Sequence, residues 1–269
     1  LSRPYPALFV GHGSPMQAVE QSRFSRAWRE LGERLPRPRA IVVISAHWYI
    51  EGTGVTAMAE PRTIHDFYGF PPALYQCRYP APGAPALAAQ IKQLLSPTAV
   101  MLDQEWGLDH GAWSVLLHLF PAADVPVVQL SLDAMRASAG HYDLGRRLGA
   151  LRDEQVLILG SGNVVHNLRL LARRADAETP AWASAYNDAV RAAVLRADHA
   201  ALIDYPYLDA AAAQAVPTPE HYLPLLYVLG AQRPGESCSV PIDGMDLGTI
   251  SMLSVLIGDL PDHSTVQKQ

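Results

Sequence analysis

The run AIVVISA, residues 40–46, decides the fold class. Seven apolar or small residues without a charge would leave a half-wet strand with nothing to show to water, so they read as a strand covered on both faces, as in parallel sheets. Working outward, three more runs share this character: ALFV (7–10), VPVVQLSL (125–132) and QVLILGSG (155–162). Helical patterns lie among them: SRFSRAWRELGERL (22–35), APALAAQIKQLL (84–95), GAWSVLLHLF (111–120) and HYDLGRRLGALR (141–152). Strands alternating with helices predict an α/β fold with a central, largely parallel or mixed sheet and helices on both faces.

The C-terminal half continues with helices expected near 180–197 and 220–230, then SCSVPID (237–243) and GTISMLSVLI (248–257) as strands. The Ala-rich DAAAAQA (209–215) reads as a short helix or surface turn and not as a boundary. With no repeat and no low-complexity linker, residues 1–269 are expected to form a single domain. The stretch 59–85 stands apart: six prolines and several aromatics without helix or strand periodicity. Long ordered loops of that kind commonly wall or cover a pocket.

Composition narrows the function. Apolar residues at 49% and charged residues at 17% describe a globular chain able to bury a large core. A net charge of -5 and the lack of any Lys/Arg block argue against nucleic acid as a partner. No apolar run reaches bilayer length, so no membrane role is expected, and the opening RPYPALFVGHGSP reads as a strand leading into a loop and not as a signal peptide. Cys77 and Cys238 are far apart without a CxxC pattern and are expected as reduced thiols, which points to the cytoplasm. Any metal site must then use the ten histidines and the carboxylates.

Ligands of such sheets bind beyond the carboxyl ends of the strands. Four histidines sit at or beside those ends: His12 after ALFVG, His47 after AIVVISA, His110 in GLDHG ahead of a helix, and His166 after VLILGSGNVV. His221 opens the pattern EHYLPLLYVLGA. One histidine at a strand end is ordinarily a hydrogen-bonded polar residue; several at one rim are not explained by independent structural needs. His118, inside an apolar helical run, is assigned to packing, His141 and His199 to helix surfaces, and His263 to a polar tail. Imidazoles suit Zn, Fe, Cu and Ni alike, so the residues by themselves reach only a histidine-rich metal or acid–base site at the rim of an α/β sheet.

Six phrases, LFVGHGSPM, VVISAHWY, TIHDFYGFPPALY, GLDHGAWSVL, GSGNVVHNL and EHYLPLLYVLGA, occur in that order between about residues 7 and 256. Together they resemble the 4,5-DOPA extradiol dioxygenase family, part of the class III extradiol group that opens catechol-type rings. The resemblance implies metal ligation by His12, His47 and His221, with Glu220 as the alternative at the last position. It implies an acid/base role for His166, which can also approach as a fourth ligand when zinc fills the site, and a substrate or oxygen contact for His110. It further implies a catechol and O2 as partners, Fe(II) as the active metal, and zinc as a common occupant of purified protein.

The chemistry requires such residues. A catechol binds through two oxygens, so the ion must keep positions open, as facial-triad iron sites do. Zinc lacks the redox chemistry. A neutral imidazole suits the proton transfers. The loop around His65, Asp66, Phe67 and Tyr68 is expected to cover the ring and set substrate choice, with His65 and Tyr68 meeting the substrate, although His65 could equally tie the loop together. The rivals are a zinc-dependent hydrolase and a non-catalytic metal-binding relative. A monomer or small homo-oligomer is expected.

Overall fold

Alternate residues of the decisive run point to opposite faces, and both faces are covered. In the computed structural model, which describes residues 3–172, 174 and 177–260, Ile41 and Val43 pack into one core while Val42 and Ile44 pack into the other. The strands are β1 (Ala7–Gly11), β2 (Ala40–Ile50), β3 (Thr53–Thr56), β4 (Val100–Asp103), β5 (Val127–Asp133), β6 (Val156–Gly162), β7 (Cys238–Ile242), the short pair β8 (Met245–Asp246) and β9 (Ile250–Ser251), and β10 (Ser254–Ile257). Their main sheet runs β4-β3-β5-β2-β6-β1-β10-β7. The centre is parallel, with β5, β2, β6 and β1 in one direction; β3 against β5 and β10 against β1 are antiparallel, so the sheet is mixed.

The helices are α1 (Arg23–Arg34), α2 (Pro72–Tyr75), α3 (Pro85–Leu94), α4 (His110–Leu119), α5 (Ser138–Leu148), α6 (Ala181–Leu195), α7 (His199–Ile203), α8 (Ala212–Ala215) and α9 (Leu223–Gly230). Helices α1 and α4 bring Phe24, Trp28, Leu31, Trp113 and Leu116 to one face of the sheet. Helices α3, α5, α6 and α9 bring Ile91, Leu148, Val190 and Leu226 to the other. Burying each large apolar side chain contributes roughly 1.5–3 kcal/mol, so the two layers hold the sheet from both sides. Ser22 starts α1 by accepting hydrogen bonds from the backbone of Phe24 and Ser25, and Asp109 starts α4 by accepting from Ala112.

Several expectations are corrected. The strand expected over 40–46 runs on to Ile50, and β3 and β4 were not foreseen. The helix expected over 220–230 begins only at Leu223, which leaves His221 in the turn before it. His141 is fully buried, not a surface residue, with Nδ1 3.1 Å from the Tyr227 hydroxyl, because α5 packs that face on α9. His199 is half-buried, held by the Tyr142 hydroxyl at 2.9 Å and Gln232 at 2.8 Å. His118 packs against Trp28 as expected. Cys77 and Cys238 are free thiols. His263 lies outside the described residues. Among those residues no helix is long and apolar enough to cross a membrane.

Candidate metal centre and pocket

Parallel strands expose their last carbonyls and side chains at one rim, and here the chain leaves that rim through histidines. His12 follows the last residue of β1, and its backbone N–H donates to the carbonyl of Gly162 at the end of β6. His47 lies inside β2, but where the ladder fails: pairing with β6 reaches Ser45, and the register against β5 shifts between Ile44 and Tyr49. Such a break re-aims side chains and is common beside functional sites. His221 is set by a close backbone approach. Its carbonyl accepts from the N–H of Asn163 at 2.8 Å, and a Cβ at Gly162 would stand 2.1 Å from that oxygen. Only glycine leaves room there.

The three imidazoles share one arrangement. The Ser161 hydroxyl donates to the Gly111 carbonyl at 2.6 Å, so its lone pair takes the Nδ1–H of His12 at 3.0 Å. His47 Nδ1 faces the Asp66 carboxylate at 3.5 Å, and His221 Nδ1 faces Glu220 at 3.3 Å. Each Nδ1 thus has an acceptor, which leaves each Nε2 as a lone pair. His12 Nε2 and His47 Nε2 stand 3.1 Å apart, and His221 Nε2 is buried without a hydrogen-bond partner. Lone pairs turned on one another inside a protein repel unless a cation lies between them. The ligand nitrogens of the three all lie within 4.8 Å of one another. The donor set therefore fits a metal ion, with acceptors behind His12, His47 and His221 of the kind that orient metal-bound histidines. Burial, and then the neighbouring imidazoles, hold the pKa of all three well below the ordinary histidine value, which keeps them neutral and able to ligate.

Two further histidines flank the trio. His166 leaves β6, is tied by its N–H to the Ala215 carbonyl, and stacks on His221 with ring centres 3.5 Å apart. Burial and the nearby His110 push it down to about 4. His110, the first residue of α4, is clasped by Asp66: the carboxylate accepts from its backbone N–H and from its Nδ1, both at 2.8 Å. Burial alone would raise the Asp66 carboxyl, but the hydrogen bonds and charge of His110 hold it below its ordinary value. The structure brings a second possible donor group together from His47, Asp66 and His110.

These residues line a pocket of about 340 Å³ that also includes Phe67, Phe70, Leu168, Leu171, Leu247 and Ile250. The two loop residues expected to meet substrate are not in its lining. Tyr68 is 92% exposed, and His65 bonds the Cys77 carbonyl at 3.0 Å, the loop-tying alternative. Asp66 and Phe67, named with them in the loop expected over the ring, do line the pocket. Glu220, the alternative ligand, turns to the Thr218 hydroxyl and His221 Nδ1. Sequence reasoning placed Asp66 in the loop over the ring but missed its clasp on His110, and it missed the part played by Ser161. It also missed Asp109, a fully buried carboxyl that accepts from Ser45 at 2.7 Å and bonds Gln129, joining the His47 strand to the His110 helix. Burial, and then the Asp66 charge, raise Asp109 to about 6.

Residues 6–242 match the family described as the catalytic LigB subunit of aromatic ring-opening dioxygenase. The chain is 52% identical to a 4,5-DOPA dioxygenase extradiol of Escherichia coli over 94% of both chains. It is 37% identical to one of Beta vulgaris over 90% of this chain and 92% of that protein. The crystal structure of an uncharacterized protein from Escherichia coli superposes with a TM-score of 0.83 at 46% identity, covering 94% of this chain and 100% of the other.

Proposed function

The chain belongs to the family of catalytic LigB subunits of aromatic ring-opening dioxygenases, and from that membership we propose that it opens catechol-type rings, DOPA-like ones included, by extradiol cleavage with O2 at a mononuclear non-haem Fe(II) centre. The observation that carries this reading is the set of three Nε2 lone pairs turned toward one another, on His12, His47 and His221, each with its Nδ1 already engaged. These three residues would hold the ion. Bound there, Fe(II) supplies the electron transfer that lets O2 react with a catechol, and zinc, a frequent occupant of imidazole sites, does not.

The chain's own residues supply the rest. His166, neutral near pH 7, accepts a proton from a catechol hydroxyl and returns one to the ring-opened product. It stacks on His221 but stands outside the donor group of His12, His47 and His221, so it would act as a fourth ligand to zinc only after swinging toward the ion. His110, held through Nδ1 by Asp66, lines the same pocket, where in its protonated form its Nε2–H would hold developing negative charge on oxygen. The same clasp supports a second reading, in which His110 is the base. Phe67 and Phe70 exclude water beside the ring, and Tyr68 and His65 act on substrate through the loop that carries Phe67. The whole chain, 1–269, serves as one catalytic unit, as a monomer or small homo-oligomer, and its two free thiols fit the cytoplasm.

The test is anaerobic removal of bound metal, reloading with Fe(II), and oxygen uptake with a panel of catechols. One O2 consumed per catechol, with a ring-opened semialdehyde as product, supports the reading. No uptake with any catechol, together with ester or amide hydrolysis by the zinc form, would establish the hydrolase instead.

A further inference from the structure

The IHDFYGF loop brings one carboxylate to the pocket, and the chain is fixed on both sides of it. Ahead of Asp66, Ile64 N–H donates to the Leu108 carbonyl and the Trp113 indole N–H to the Ile64 carbonyl, both at 2.7 Å. Behind it, the Phe67 ring meets His110 edge to face, with centres 5.6 Å apart, and packs against Trp113.

Held in this way, the two oxygens of Asp66 have separate tasks. Oδ1 accepts from the backbone N–H of His110 at 2.8 Å. Oδ2 stands 2.8 Å from Nδ1 of His110 and 3.5 Å from Nδ1 of His47, and the centres of those two rings are 3.8 Å apart. An ionised carboxylate only accepts, so this one oxygen selects a protonated Nδ1 on both imidazoles and leaves Nε2 as the free nitrogen of each.

We propose that Asp66 is a positioning residue shared by the metal ligand His47 and by His110, its Oδ2 fixing the tautomer of both, so that metal retention and the chemistry at His110 depend on one loop carboxylate. The consequence for turnover rests on the ring-opening reading; the consequence for metal affinity rests on the three-histidine site alone. Asparagine is the telling substitution. It keeps the shape of aspartate, but with its oxygen still accepting from the His110 backbone it turns an amide NH2 on both Nδ1 atoms. Each ring must then show a lone pair to the amide and Nε2–H to the pocket, which is the wrong form for a ligand. Turned over, the amide instead sets its N–H groups against the His110 N–H. Alanine opens a space in which water can accept from Nδ1, so it disturbs the tautomers less.

The experiment measures zinc affinity of the full chain by competition with a chelator, for the parent, D66A and D66N, and kcat and KM with catechol after iron loading. The expected order is the parent, then D66A about tenfold weaker, then D66N about 100-fold weaker, with kcat falling in the same order and KM moving less than about threefold. A residue that only seats the loop would make asparagine, the closer in shape, the milder change; that order would overturn the proposal, as would D66N binding zinc as tightly as the parent. Complete loss of zinc in D66A would make Asp66 itself a ligand and overturn it as well. A further check needs no variant. In the zinc-loaded parent with 15N-labelled histidine, Nδ1 of His47 and of His110 should each carry a proton, and a bare Nδ1 on either would overturn the proposal. An iron-loaded parent that opens no catechol would bring down the ring-opening reading, while the zinc order and the nitrogen spectra would still decide the role of Asp66.

Discussion

Ser161 shows how far a single side chain can settle chemistry. Because its hydroxyl is spent on the Gly111 carbonyl, it can only accept from His12, and so it chooses the nitrogen that His12 keeps free. His12 and His166 can therefore be separated by experiment. His12→Ala leaves two of three proposed ligands and should lose metal and turnover together. His166→Ala should keep metal within about twofold and lose about 10²–10⁴ in turnover, the usual range for removing a general acid–base group. Metal content and rate measured on the same samples decide it; a His166→Ala protein with full iron and near-normal rate would pass the base to His110. The histidines of the rim were legible because the residues before them form plain strands. The clasp of Asp66 on His110 was not, since its loop has no periodicity and its partner is 44 positions away.

At the scale of elements, close approach at glycine positions the site. In Gly162→Ala the new Cβ would meet the His221 carbonyl, so the turn before α9 must move. The expected outcome is a loss of metal affinity of at least tenfold and a stability loss of about 1–3 kcal/mol, by metal titration and denaturant unfolding. The α5–α9 contact predicts a pH effect away from the metal. Burial, then Arg136, lower His141 to about 4. The fold favours its neutral form, so its contribution is complete above the unfolded value near 6.5 and is lost as pH falls toward 4. His141→Gln does not titrate. Relative to the parent it should gain roughly 2–3 kcal/mol between pH 6.5 and 4, read from urea unfolding at each pH. A constant difference across that window would show that His141 protonates freely in the fold. The long apolar strands and the helices were readable from their periods. Strand β3, TGVT, was not, being four residues with two threonines, and β4 lies at the sheet edge with Met101 and Leu102 exposed. The extension of β2 past His47 was hidden because its ladder is irregular there.

For the whole molecule, the mixed sheet places the ends of β1 and β6 and the irregular part of β2 at one rim, and the α9 turn closes over it. Residues 12, 47 and 221 meet only through that topology, which no local spacing encodes; their convergence was readable from the family resemblance and not from the chain's own periodicity. Two donor groups share His47: His12 and His221 on one side, Asp66 and His110 on the other. The account depends on which of them holds the ion. Anomalous diffraction at the iron edge, on crystals of protein loaded anaerobically with Fe(II), answers this directly. The account predicts one peak per chain, bonded to Nε2 of His12, His47 and His221, with Asp66 still hydrogen-bonded to His110. A peak held by Asp66 and His110 with His47, or one that leaves His12 or His221 unbonded, would contradict it.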